Sequence, residues 1–264
     1  MENDPKSARA PRRVGGIKIA PLVIAATLGC VAVGAQAQTQ TAAAPQVQAK
    51  AVDALSRMSA YLRSIPAFQI TLQTQRDDVD VYGQLITLSG SATYKVRRPD
   101  RFTFDLALPS QAGQYVYDGK TVSVYDARAQ TYSKVAAPPT IRETLVVAQE
   151  KYGATVPLDD LFTWSEGDSR AKGLTSAHFI GKTQIRGQTA NHYAFRQPGK
   201  DWQIWIADGD RPTPLRVSIV ANDDPARPEF QADLSWDISP EFAADAFSFA
   251  APANARVVDI RPIN

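Results

Sequence analysis

Cysteine is all but missing from this chain of 264 residues, which has one, Cys30, together with only two histidines, His178 and His192. The histidines show no H-x-x-x-H or H-x-E spacing and have no cysteine near them, so no metal site is expected. No G-x-S-x-G, phosphate-binding loop or dinucleotide fingerprint occurs. Gly167, Asp168 and Ser169 resemble part of a lipase-like serine motif but lack the leucine that should follow. Asp159 and Asp160 are adjacent and diverge around a helix, where they suit its first turn better than paired acid–base work. No catalytic residue and no cofactor is expected, and the chain reads as a non-enzyme.

Excess charge is lacking too. The 29 Lys and Arg against 27 Asp and Glu give +2. Five of the basic and two of the acidic residues lie in the first 37, which leaves 24 against 25, a net of −1. A domain so close to neutral has no electrostatic footprint for nucleic acid. Apolar runs are also few. The longest, residues 19–34, has 16 positions and is short for a membrane span.

That run follows Lys6, Arg9, Arg12, Arg13 and Lys18 and precedes "AQA" at 35–37. A basic region, an apolar run and small residues predict a cleavable secretory signal over 1–37, and hence an exported protein. "TLGC" at 27–30 offers the alternative of lipoprotein processing at Cys30, although Thr27 and Leu28 match that site poorly. Cleavage after Ala37 leaves no cysteine and therefore no disulfide. Residues 38–47 read as an Ala/Gln/Thr tether, and 48–264 as one domain with its own core.

Within that domain the dominant period is two. Val52, Leu55, Met58, Leu62 and Ile65 first predict a helix over about 48–64, stopped by Pro66. Then Phe68, Ile70 and Leu72 share one parity, as do Ile86, Leu88, Ala92, Tyr94 and Val96, and again Phe102, Phe104 and Leu106. Such alternation describes half-buried antiparallel strands. Tyr115 and Tyr117 lead into a hairpin at 118–120. Two helices then interrupt the strands. One has a Thr140–Glu143 capping box and ends at Gly153, and a shorter one covers 157–164. Further strands are expected at 176–186, 189–197, 202–207, 214–221 and 229–237, with a last short one near 247. The expected class is α+β, mainly β: an incomplete antiparallel barrel of about ten to eleven strands, with an N-terminal helix and central helices over its concave face.

Several pieces together resemble a known family. They are "RRPDRF" (97–102), "VYDGKTVSVYD" (116–126), "PLDDLF" (157–162), "GQTANHYAFR" (187–196), "DWQIWI" (201–206), "PTPLR" (212–216) and "FSFAAPANA" (247–255). On these the chain is identified as a member of a family of predicted periplasmic proteins of unknown function, related to the lipoprotein carriers LolA and LolB and to RseB. The resemblance spans roughly 50–258. It implies a half-barrel whose cavity, in the carriers, holds acyl chains of lipoproteins or lipids, and it places Arg98 where the carriers have an arginine that holds the lid helices. For partners it implies a lipid or an acylated protein or, on an RseB-like reading as sensor or scaffold, a protein of the inner or outer membrane. A monomer is expected.

Arg98 is the anomaly on the page. Counting by two from Tyr94 and Val96 puts its guanidinium on the apolar face, where a buried charge needs acceptors. It is therefore expected to latch the helices or contact ligand ester oxygens at the cavity mouth or, as a plain strand-end arginine, to pair with Asp100 or Asp105. Phe68, Tyr94, Phe102, Phe104 and Trp236 share the apolar parity, Trp202 shares a face with Ile204 and Ile206, and Leu145 and Leu161 point inward from the helices. These are the candidate ligand-binding residues. Cavity lining and core filling predict the same parity, so the sequence leaves both open.

Overall fold

The computed structural model describes residues 46–109, 111–154, 158 and 173–263. The expected signal peptide, most of the tether and nearly all of the short helix expected at 157–164, with Asp159, Asp160 and Leu161, lie outside the described residues, as do Gly167, Asp168 and Ser169.

Helix α1 (Ala49–Ser64) comes first. The antiparallel strands β1 (Ala67–Val79), β2 (Leu85–Arg97), β3 (Arg101–Ala107), β4 (Ala112–Tyr117), β5 (Thr121–Asp126) and β6 (Thr131–Ala136) follow. After helix α2 (Ile141–Tyr152) a second meander runs through β7 (Ser176–Ile185), β8 (Gln188–Gln197), β9 (Lys200–Ala207), β10 (Pro214–Ala221) and β11 (Glu229–Asp237), and β12 (Arg256–Val257) ends the series. All twelve strands form one sheet in the order β12-β6-β5-β4-β3-β2-β1-β11-β10-β9-β8-β7. The two meanders join where β1 pairs with β11, from Gln69 opposite Asp237 to Arg76 opposite Phe230. Among the described residues nothing pairs β7 with β12. The barrel is incomplete, and the fold is mainly β, with two helices among the described residues.

One expectation is corrected. The segment near 247 is not a strand. Phe247 and Phe249 alternate as a strand would, but they cover the outer face of the first meander, Phe247 against Arg97 (5.0 Å) and Phe249 against Tyr132 (5.5 Å). A strand that was not anticipated, β6, occupies 131–136; of its side chains Ser133 is buried, so no clean apolar alternation announced it. Ahead of α1 the chain runs beside β7, where Ala177 N–H donates to the Gln46 carbonyl (2.9 Å) and Gln48 N–H to that of Ala177 (2.8 Å).

The inner face holds the core. Register aligns Trp236, Ile70, Tyr94, Phe104 and Tyr115 across five neighbouring strands, and Tyr94 stacks on Phe104 at 4.5 Å. α1 lies on this face because Ala51, Ala54, Leu55, Met58 and Leu62 form one stripe, all at most 4 % exposed. Burying Met58 and Leu62 contributes about 1.5–3 kcal/mol each. α2 follows its caps as expected. Thr140 Oγ1 accepts from Glu143 N–H (3.2 Å), and Gly153, in the left-handed region at φ 63°, returns its N–H to the Gln149 carbonyl (3.0 Å). Here the Glu143 carboxylate accepts from the Thr140 hydroxyl (2.8 Å). The chain end straps α2 down, with Ile263 N–H on the Lys151 carbonyl (2.9 Å).

Candidate functional site

The β2–β3 turn is a junction for both helices. Arg98 N–H donates to the Pro66 carbonyl (2.8 Å), just past α1, and Ile141 N–H at the head of α2 donates to the Pro99 carbonyl (3.0 Å). The Arg98 guanidinium lies over the Phe68 ring (5.7 Å to its centroid) and donates to the Leu62 carbonyl at 3.5 Å. Leu62 is in the last turn of α1, where unsatisfied carbonyls and the helix dipole favour a cation. Burial, and to a lesser degree the neighbouring Arg63, lower the pKa of Arg98. Asp100 takes Arg101 instead (3.1 Å), and Asp105 accepts from Gln114 (2.7 Å). Pro138 completes the junction, its carbonyl accepting from Tyr117 Oη (2.5 Å) and Thr144 Oγ1 (3.3 Å).

The remaining candidates fall in three places. Phe68, Tyr94, Phe104 and Trp202 are in the core, each at most 9 % exposed, and Trp202 stacks on Phe195 at 4.1 Å. Phe102 and Leu145 line a small apolar hollow of about 70 Å³ between α2 and β3–β6, with Ile260 of the C-terminal segment on its wall. Trp236 lines a much larger cavity. Leu161 lies outside the described residues, and of its segment Leu158 is described, partly buried against the core.

The larger cavity, about 850 Å³, was not foreseen. It sits at the same end of the sheet as the Arg98 turn, where the tip of the β7–β8 hairpin, the β9–β10 loop and the end of β11 meet the last turn of α1. Its cause is local. Between Pro214 and Arg216 the register of β10 against β9 shifts, and β10 pairs with β11 no further than Arg216 opposite Asp233. Past that point the strands are splayed. Trp236 Nε1 bridges the gap to the Pro214 carbonyl (2.7 Å), and Arg186, from the β7–β8 turn, donates to the Leu234 carbonyl. Tyr61, Leu215, Leu234, Trp236 and Ile238 supply apolar wall, Gln188, Thr189, Thr213 and Ser235 supply polar wall, and Arg186, Asp208 and Arg211 stand at the rim. The signal that could have found this splay is Pro214, since a proline cannot donate to a ladder and marks a strand end or a bulge.

The outer face carries a row of a different kind. His192 stacks on Trp205 at 4.1 Å, its Nε2 within 2.8 Å of Gln203 Oε1. Arg216 lies beside the same indole (5.8 Å) and grips Asp233 with two hydrogen bonds, 2.5 and 2.9 Å. That grip holds the Asp233 carboxyl below the usual carboxylate range, and burial lowers the pKa of His192. Among the described residues no three metal-ligating side chains cluster.

The described residues thus form an open antiparallel sheet with helices on its inner face and a cavity at one end. Residues 51–261 match the family model described as "Predicted periplasmic protein (DUF2092)", and the chain belongs to that family. Among solved structures it is similar to an uncharacterized conserved protein from Thermus thermophilus, at 14% identity and a TM-score of 0.45, over 79% of this chain and 98% of that one. It is also similar to the Mycobacterium tuberculosis lipoprotein LppX, at 14% identity and a TM-score of 0.45, over 74% and 99%. A chain of the Pseudomonas aeruginosa MucA/MucB complex matches at 19% identity and a TM-score of 0.43, over 80% of this chain but only 64% of that one. Likeness this distant transfers no ligand or partner. Comparison with curated proteins finds no match.

Proposed function

We propose that this protein is a periplasmic, non-enzymatic carrier that holds the acyl chain of a lipid or lipoprotein in a cavity at one end of its half-barrel. The observation that carries the reading is the cavity of about 850 Å³ opened by the β10–β11 splay. Ligand sites occupy roughly 300–1,000 Å³, and this one sets apolar side chains beside the polar Gln188, Thr189, Thr213 and Ser235. Apolar wall removed from water by a ligand contributes about 25 cal/mol per Å². In this reading Arg98 is the latch: it holds the last turn of α1, which borders the cavity through Tyr61, to the same turn that holds α2. The signal at 1–37 exports the chain. Protein purified from periplasm without detergent and extracted into organic solvent should yield a stoichiometric lipid by mass spectrometry. Absence of any lipid, together with no affinity for a fluorescent acyl probe, would rule the carrier out.

A sensor or scaffold that docks on a membrane-protein partner is favoured by one feature. The β1–β2 hairpin runs past its neighbours and ends in Val81 and Tyr82, 92 % and 91 % exposed. Its tip is preorganised, with Asp80 Oδ1 accepting from both Tyr82 and Gln84 N–H (2.9 and 2.8 Å). A stoichiometric protein recovered from envelope extracts on the intact chain, lost on Tyr82→Ser and accompanied by an empty cavity, would replace the first reading with this one.

A further inference from the structure

We propose that the large cavity selects an amphiphile with an anionic head, a carboxylate or a phosphate, and that Arg186 and Arg211 receive that head at the rim. The inference rests on the carrier reading and adds the chemical class of what is carried. Its basis is the uneven distribution of polarity around the cavity. Tyr61, Leu215, Leu234, Trp236 and Ile238 make an apolar wall fit for a chain, but an apolar wall alone gives a chain no preferred direction.

The two arginines come from separate loops and converge on the same opening. Arg186 and Gly187 form the two-residue β7–β8 turn, both in the left-handed region at φ 47° and 79°, the geometry that tight hairpins demand. The Arg186 side chain is tied down as well, since Nη2 donates to the Leu234 carbonyl. One of five guanidinium N–H groups is thereby used, and the fork keeps its orientation while the other donors remain for a ligand. Arg211, in the β9–β10 loop, is exposed and has no ion pair or side-chain hydrogen bond among the described residues. The carboxylate at this rim, Asp208, is already engaged by Lys182 Nζ (2.6 Å) and Asn191 Nδ2 (2.8 Å). The lining therefore carries two arginines, Arg186 and Arg211, against one carboxylate, Asp208, beside its apolar side chains. Guanidinium groups bind carboxylate and phosphate through paired, charge-assisted hydrogen bonds, so a chain entering here is oriented with its charged head outward.

Displacement of the neutral probe N-phenyl-1-naphthylamine from the intact protein tests this. The competitors share one palmitoyl chain: palmitate, palmitoyl lysophosphatidate and uncharged monopalmitoylglycerol. Either anion should compete about tenfold or more better than monopalmitoylglycerol, the ratio expected of one charge-assisted hydrogen bond. Arg211→Gln should remove most of that ratio, Arg211→Glu should invert it, and added salt should shrink it. The stronger of the two anions identifies the head as carboxylate or phosphate. If monopalmitoylglycerol competes as well as both anions, or if Arg211→Glu leaves the ratio unchanged in a variant with normal melting, the head-group assignment is overturned and the carrier reading stands. If neither probe nor competitor binds, both fall together.

Discussion

The hollow under α2 sets a quantitative test. It measures about 70 Å³ and is lined by Phe102, Val122, Leu145 and Ala148 among others. Residual cavity volume costs about 24 cal/mol per Å³, so filling this one completely is worth at most about 1.7 kcal/mol. Ala148→Val adds two methyl groups from the helix side, worth about 1.6 kcal/mol of burial. A β-branched residue in a helix gives back about 0.5 kcal/mol. The expected net gain is about 1 kcal/mol, read as a higher urea midpoint at unchanged m value and a melting temperature up by about 2–4 °C. Gln149→Val, one position on and exposed, carries the same backbone cost with no hollow to fill, and should be slightly destabilising. The difference between the two variants isolates the cavity. If Ala148→Val is as destabilising as Gln149→Val, α2 is already in full contact with the sheet, and the hollow is not a place where this helix can settle or lift.

Other outcomes follow from single contacts. Gly119 has φ 88°, and a Cβ there would meet Arg101 Nη1 at 1.9 Å; Gly119→Ala should cost more than about 1 kcal/mol in a denaturant titration. Thr140→Ala removes the N-cap of α2 and should cost about 1 kcal/mol, with faster hydrogen exchange confined to that helix. The Asp233 carboxyl, held low chiefly by its hydrogen bonds from Arg216, contributes stability above the ordinary carboxylate pKa of about 4. That contribution is lost as pH falls below this value and through the folded pKa, so the acid limb of stability against pH should be shallower in Asp233→Asn.

How far the chain could be read depended on whether one face of each element is buried. β1 to β3 alternate because their inner residues, Phe68, Ile70, Tyr94 and Phe104 among them, are sealed beneath α1 while the partners between them are not. α2 was legible from its ends, since caps are local chemistry. β6 was not, because buried Ser133 breaks the apolar parity. Phe247 and Phe249 misled for the opposite reason, as two aromatics with the right spacing lie across a sheet without joining its ladder. Parity brought Arg98 to the inner side correctly. It could not tell Tyr94, which is core, from Trp236, which borders a cavity, because both face inward. The cavity itself depends on a register shift at Pro214–Arg216, a property of two strands in combination, and Arg186 reaches it from a turn that carries no periodic signal.

The seam between β1 and β11 joins residues 154 to 168 positions apart, while every other long pairing in the sheet links strands adjacent along the chain. Each meander can therefore assemble from local hairpins, but the seam must await nearly the whole polypeptide, and loop closure over such a span is slow. Until then two greasy half-sheets are open to water and to each other's copies. A newly made chain thus passes through an interval when its apolar half-sheets lack their final partners, and weakening the seam should lengthen that interval before it alters any property of the finished protein.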